Sequence, residues 1–329
     1  MFHDALVPFA ERRIIIMTET IWSLVILVIG FVLLIKGADF FVEGSSSVAK
    51  RLRVPSIIIG LTIVAMGTSL PECAVSVTAS LADQNALAVS NVVGSNIFNL
   101  MVVCGFCALF SPLAVQKDTL KKEFPFSIFC ALLMLGLGYI GMTLGRGDGV
   151  IFLVIFVGFL VWMVKSALNA RSNAEEEEIE LLPVWRCILY IVGGAVAIKF
   201  GGDFVVDGAS VIASKLGMSQ NLIGLTVVAL GTSLPELVTS IVAARKNEVD
   251  MALGNVIGSN VFNILFVLGI AASISPIAFI MENVIDIILL VAMSALVWIF
   301  AWTKQKIGRT EGIVMLLIYA GYLVYIIMR

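Results

Sequence analysis

The sequence predicts an all-α polytopic membrane protein, with ten transmembrane helices in two inverted five-helix repeats. Three observations predict it. The 329 residues are 60% hydrophobic and 13% charged, with a mean hydropathy of +1.07, whereas a soluble domain carries about 25% charged residues. Apolar runs recur along the whole length, and ten of them can supply the roughly 20 residues that a spanning helix needs. The chain also resembles itself: displaced by 164 residues, 37–99 aligns with 201–263 without a gap, with 30 identities in 63 positions. The match continues to Ser111-Pro112 against Ser275-Pro276.

Residues 1–20, MFHDALVPFAERRIIIMTET, form an N-terminal extension without a signal-peptide core or a small-residue cleavage site. It holds His3, the only histidine, and Met17 offers a second start. The first repeat, 21–170, contains spans centred on 21–36, 56–80, 86–110, 124–143 and 149–168. RSNAEEEEIE opens an acidic linker over 171–183. The second repeat, 184–329, contains spans centred on 184–202, 219–244, 250–274, 284–303 and 310–328. The first and sixth spans continue as amphipathic helix to about residues 50 and 214.

Five spans per half is an odd number, so the second copy enters the bilayer upside down. Loop charge tests this independently, because Lys and Arg favour the cytoplasm. Lys50, Arg51 and Arg53 follow span 1, whereas only Lys215 follows span 6. No basic residue follows span 2, whereas Arg245 and Lys246 follow span 7, aligned with Leu81 and Ala82. Equivalent loops have exchanged their charge. Summed, 14 basic residues fall on the side of the first loop and 5 on the side of both termini. The expected arrangement is a multi-pass protein of the plasma (inner) membrane, both termini outside and the linker cytoplasmic.

The hexapeptide GTSLPE occurs twice, at 67–72 and 231–236, each time within a span. Pro71 and Pro235 lack the N–H that would bond the carbonyls of Gly67 and Gly231, so an unbroken helix is disfavoured there. Freed carbonyls at mid-membrane depth are tolerated only against protein or a water-filled site. Thr68, Glu72 and Ser76 share one helical face, as do Thr232, Glu236 and Ser240. An intramembrane glutamate is costly and by default functional and partnered, and no Lys or Arg lies at that depth in spans 2, 3, 7 or 8. The next spans carry NVVGSNIFN (91–99) and NVIGSNVFN (255–263). These put Asn91, Ser95 and Asn99 on one face, and Asn255, Ser259 and Asn263 on its counterpart. Asn91, Asn96, Asn255 and Asn260 read as packing glue.

The donors of these four spans are all oxygen: two carboxylates, the facing amides, the hydroxyls of Thr68, Ser69, Thr232 and Ser233, and backbone carbonyls. Hard cations require that set; Ca²⁺ takes about 6–8 oxygens, whereas transition metals call for sulfur or nitrogen. Cys73, Cys104, Cys107, Cys130 and Cys187 all fall in or beside spans and read as packing thiols. Two negative charges balance one Ca²⁺ or two monovalent ions, and a site neutralised in two ways is an exchange site. The predicted activity is cation antiport. An intramembrane hydrolase using Ser69 with Lys36 or Glu72 would need an activated nucleophile, and one active site needs no inverted copy. Paired carboxylates likewise favour saturable occupancy over channel-like passage.

Two GTSLPE motifs, each followed by GSNxxN, resemble the signature repeats of the sodium/calcium exchangers, prokaryotic type, within the calcium/cation antiporter superfamily. The resemblance covers nearly the whole chain. It implies one Ca²⁺ and three Na⁺ sites between helices 2, 3, 7 and 8, with helices 1 and 6 sliding across that core. Calcium would take Glu72, Glu236 and the backbone carbonyls of Thr68 and Thr232. Sodium would use the same carboxylates with Ser69, Ser95, Ser233 and Ser259, and Asn99 close by. Asn263 is an amide where some prokaryotic exchangers and the potassium-dependent branch carry aspartate, which argues against potassium dependence. The proton-coupled branch has a GNxxE-type motif with histidine, and neither copy fits it. Calcium/proton antiport is the alternative, since protons also neutralise carboxylates. The implied partners are Ca²⁺, Na⁺ and the lipid bilayer, with no cofactor, enzymatic activity, nucleic acid or obligate protein partner. Asp39 and Glu43, repeated as Asp203 and Asp207, read as helical ion pairs with Lys36 and Lys199, or as a cation-attracting vestibule.

Overall fold

The computed structural model describes residues 9–82, 85–172, 182–218 and 229–328. Among them every long element is a helix: α1 (Phe9–Leu52), α2 (Ser56–Thr68), α3 (Leu70–Leu81), α4 (Leu87–Phe110), α5 (Thr119–Met142) and α6 (Arg146–Ser172). They are followed by α7 (Val184–Lys215), α8 (Leu234–Arg245), α9 (Val249–Ile274), α10 (Met281–Lys304) and α11 (Arg309–Met328). Eight are long and apolar enough to cross a bilayer, and α2 with α3 forms a ninth span bent by 49°. The seventh expected span, 219–244, begins outside the described residues, and its second half is α8. His3 and the glutamate run of the linker also lie outside them.

Among the described residues the helix that carries span 1 runs from Phe9, so positions 9–20 of the expected 1–20 extension are helical and continuous with it. Its apolar run simply continues the helical pattern. α1 and α7 reach Leu52 and Lys215, past the bilayer-spanning length, as their amphipathic tails predict.

These two long helices cross along glycines. A Cβ on Gly37 would stand 3.0 Å from the carbonyl oxygen of Gly194, and one on Gly194 would stand 2.7 Å from that of Gly37. Gly30 and Gly201 face each other in the same way, at 2.9 Å each. Gly44 meets Cys187 and Gly208 meets Ser23, so the contact runs in opposite directions along the two helices. Hydrocarbon offers no hydrophobic drive to pair helices, so close backbone approach through small residues takes its place.

α4 and α9 form the centre: 83% and 78% of their spans are buried, against 17–33% for α1, α5, α6, α7 and α11. Large apolar side chains such as Trp22, Val154 and Leu317 face outward on the ring around them. Among the described residues, helices carry the backbone bonds internally, as hydrocarbon requires.

Sequence reading gave no strands, yet four short ones form two antiparallel pairs. β1 (Leu113–Ala114) pairs with β4 (Lys306–Ile307), and β2 (Thr143–Leu144) pairs with β3 (Ile277–Ala278). Each pair takes one strand from each repeat. On the β1–β4 face, Gln116 donates to Asp250 at 2.5 Å and Lys50 lies 3.8 Å from Glu248. On the opposite face, Arg146 reaches the carbonyl of Ile274.

The expected pairing of Lys36 with Asp39 does not form. Asp39 takes Lys246 at 2.6 Å, and Glu43 takes the same ammonium at 3.3 Å. Lys246 stands at the C-terminal end of α8 beside both acids, whereas its repeat counterpart is Ala82. The matching Lys199–Asp203 pair does form within α7. Next to Lys246, a cavity of about 280 Å³ is lined by Glu43, Ser46, Lys50 and Glu248, and Ser46 and Ser56 both donate to Glu248.

Candidate cation site

The site begins at the two helix breaks. Ser69, at φ −85° and ψ 11°, separates α2 from α3, and Pro71 sits in the first turn of α3. Ser233, at φ −96° and ψ 5°, precedes α8, whose first turn holds Pro235. Proline belongs in a first turn, where its missing N–H costs nothing. Each break therefore starts a new helix at mid-span and puts a glutamate, Glu72 or Glu236, in its first turn. A helix N-terminus favours negative charge, which offsets part of the cost of holding a carboxylate there.

Both glutamates are fully buried, and each is bonded from the other repeat. Ser69 Oγ donates to Glu236 Oε1 at 2.8 Å, and Ser233 Oγ donates to Glu72 Oε1 at 3.0 Å. Ser95 Oγ lies 3.4 Å from the same Glu72 oxygen and 3.1 Å from Ser233 Oγ. Two serines that sequence spacing could place only on their own helices thus meet across the molecule.

The asparagines frame these acids. Asn91 Nδ2 bonds Ser76 Oγ at 3.0 Å and the Glu72 carbonyl at 3.3 Å; Asn255 Nδ2 bonds Ser240 Oγ at 2.9 Å and the Glu236 carbonyl at 3.5 Å. Thr68 donates to Asn255 Oδ1 at 3.1 Å. Asn91 and Asn255 thus tie α4 to α3 and α9 to α8, which matches their reading as glue. Asn96 and Asn260 do more, since they also bond Asn263 and Asn99.

One set of atoms stands apart. Among the described residues, Glu72 Oε2, Glu236 Oε2, Asn99 Oδ1, Asn263 Oδ1 and Ser259 Oγ are buried and have no hydrogen-bond partner in the protein. A buried acceptor left alone costs about 1–3 kcal/mol, more when charged. All five belong to residues that sequence reading assigned to the site, and all five are oxygens. Thr239 Oγ1, in α8 one turn beyond Glu236, is another such atom beside the site, and Ser45 Oγ, Glu123 Oε2 and Ser210 Oγ share the condition on α1, α5 and α7. Thr239 was missed because the repeat comparison sets it against Val75. Thr68, Ser69, Ser233, Ser95, Ser259, Asn99 and Asn263 are all buried with the acids, while Thr232 is half-buried. All five cysteines are free of disulfides.

A family model described as sodium/calcium exchanger protein matches the chain twice, over residues 22–165 and 187–328. The chain is 41% identical over 317 residues to a putative antiporter, CaxA, from Alkalimonas amylolytica, covering 91% of this chain and 96% of that one. It is 32% identical over 341 residues to the sodium/calcium exchanger MaX1 of Methanosarcina acetivorans, covering 92% and 97%. Among solved structures, the sodium-calcium exchanger NCX_Mj soaked with zero Na⁺ and Ca²⁺ superposes with a TM-score of 0.83 at 33% identity, over 93% of this chain and 99% of that one. The same exchanger soaked with 10 mM Na⁺ and 10 mM Sr²⁺ gives 0.82 at 34%.

Proposed function

The chain belongs to the sodium/calcium exchanger family, a family of multi-pass membrane antiporters, and from that premise we propose that it exports Ca²⁺ in exchange for Na⁺ by alternating access. The observation that carries the reading is the pair of buried glutamates, each bonded at one oxygen by a serine of the other repeat and unpartnered at the second. Two unpaired carboxylate oxygens among neutral oxygen donors suit one divalent ion or a pair of monovalent ions. Ca²⁺ is assigned to Glu72, Glu236 and the carbonyls of Thr68 and Thr232. Na⁺ is assigned to the same carboxylates with Ser69, Ser95, Ser233, Ser259, Asn99 and Asn263.

Ten helices in two inverted halves complete the architecture, with 21–170 and 184–329 as the repeats and 171–183 as the cytoplasmic linker. The opposed run of α1 against α7 and the strand pairs shared between repeats support that arrangement. Loop charge supports placing the β1–β4 face in the cytoplasm and both termini outside the plasma membrane. The sliding unit is the α1–α7 pair, and Lys246 ties it to α8 on the cytoplasmic face through Asp39 and Glu43.

The test uses proteoliposomes loaded with Na⁺ and diluted into Na⁺-free buffer containing radioactive Ca²⁺. Uptake is expected to follow the outward Na⁺ gradient. Uptake driven by a pH gradient alone, with no Na⁺ on either side, would replace Na⁺ by H⁺ as the counter-ion.

A further inference from the structure

The asparagines at positions 96, 99, 260 and 263 form a closed set of amide contacts across the two repeats. Asn96 Nδ2 donates to the backbone carbonyl of Asn260 at 3.2 Å, and Asn260 Nδ2 donates to that of Asn96 at 3.2 Å. A backbone carbonyl can only accept, so both amino groups are committed to these contacts. The Oδ1 atoms of Asn96 and Asn260 must then face the other way. There Asn96 Oδ1 accepts from Asn263 Nδ2 at 3.2 Å, and Asn260 Oδ1 accepts from Asn99 Nδ2 at 3.3 Å. The amino groups of Asn99 and Asn263 are committed in turn, which leaves their Oδ1 atoms as the buried, unpartnered oxygens of the site.

From this geometry we infer that Asn96 and Asn260 are positioning residues that fix the amide polarity of Asn263 and Asn99, so that oxygen and not NH₂ faces the transported Na⁺. The inference rests on the Na⁺/Ca²⁺ reading above and adds residues that do not touch the ion. Polarity passes from two backbone carbonyls through two amides to two ligand oxygens. Each positioning residue serves the ligand of the opposite repeat. A flipped ligand amide would present its positive end to a cation, turning an attraction into a repulsion.

Double-mutant cycles on the full chain in proteoliposomes test this, reading Na⁺ half-saturation and, with no Na⁺ present, Ca²⁺/Ca²⁺ exchange. Asn96→Ala and Asn260→Ala are each expected to raise Na⁺ half-saturation about tenfold, the scale at which partners of metal ligands act, with Ca²⁺/Ca²⁺ exchange within about twofold of wild type. Asn96→Ala should add nothing in an Asn263→Ala background yet multiply with Asn99→Ala, and Asn260→Ala should show the converse pattern. Asn96→Asp, as the neutral acid, can donate its O–H to the Asn260 carbonyl and keep its carbonyl oxygen facing Asn263, so Na⁺ half-saturation should stay within about threefold of wild type and serve as the readout if the alanine variants do not fold. Effects that multiply equally with both ligand variants, or an Asn96→Asp loss as large as that of Asn96→Ala, would overturn the inference. Wild-type liposomes lacking Na⁺-driven Ca²⁺ exchange would retire the parent reading instead.

Discussion

At the scale of single residues, Glu72 and Glu236 are held ready for a cation by neutral donors alone. A serine hydroxyl takes one oxygen of each, and a helix N-terminus lies beneath it. Glu72→Gln and Glu236→Gln are therefore expected to reduce exchange to background while protein yield and elution profile stay as in wild type; retained exchange in either variant would show that the carboxylates are not the ion site. Asn263→Asp should change competition between Ca²⁺ and K⁺ more than stability, with melting temperature within about 2 °C of wild type. Thermal unfolding alongside a K⁺ competition assay measures both. Much of this site was legible in sequence, because a proline followed by glutamate in an apolar run has few structural excuses, and i, i+4, i+8 spacing gives the shared face. What periodicity cannot state is which foreign helix that face meets. Ser69 with Glu236, and Asn96 with Asn263, are contacts between residues 167 apart in each case, and no local pattern carries them.

At the scale of elements, the breaks fall where Pro71 and Pro235 predict, and the long helices end near their predicted limits. Two features were illegible. Residues Asn99–Val103 and Asn263–Val267 widen into π-helical turns, which nothing in side-chain periodicity distinguishes from ordinary helix; such turns often occur at functional sites. The strands are only two residues long, too short for alternation to show. The glycine crossing yields a prediction. A side chain on Gly194 would run into Gly37 O and the Phe41 backbone at 2.7–2.8 Å, so Gly194→Leu should cost about 1–3 kcal/mol or more, seen as a lowered melting temperature in detergent. Lys246 behaves differently, because its pairs are partly exposed and such pairs contribute only about 0–1 kcal/mol. Lys246→Met is expected to leave the melting temperature nearly unchanged. By loosening the tie between α1 and α8, it should raise apparent Ca²⁺ affinity on the cytoplasmic face and lower it on the other. Equal affinities on both faces, before and after the change, would remove the tie from the transport cycle.

At the scale of the whole molecule, the two repeats are interwoven and not merely apposed. β1 needs β4 and β2 needs β3, α1 lies along α7, and Glu72 and Glu236 each take a serine from the other side. Cutting the chain within the linker should therefore give fragments 1–172 and 173–329 that restore exchange only when co-expressed, while either alone fails to accumulate; flux and fragment levels in membranes measure this. The two halves and the opposed orientation expected for them could be read from sequence because a duplication and loop charge are both written in linear order. Their interlocking became visible only once distant residues were in contact. One consequence concerns inheritance. Since the duplication, positions at the crossing points have stayed twins: Gly30 with Gly194, Gly37 with Gly201, Ser69 with Ser233, Asn96 with Asn260. At a membrane edge, Ala82 and Lys246 were free to part company. Contact alone has not kept a pair alike, since Lys246 itself grips Asp39 and Glu43, and Ser23 and Cys187, which are counterparts, each face a glycine of the other half; identity has lasted at the centre of the crossing and at the helix breaks.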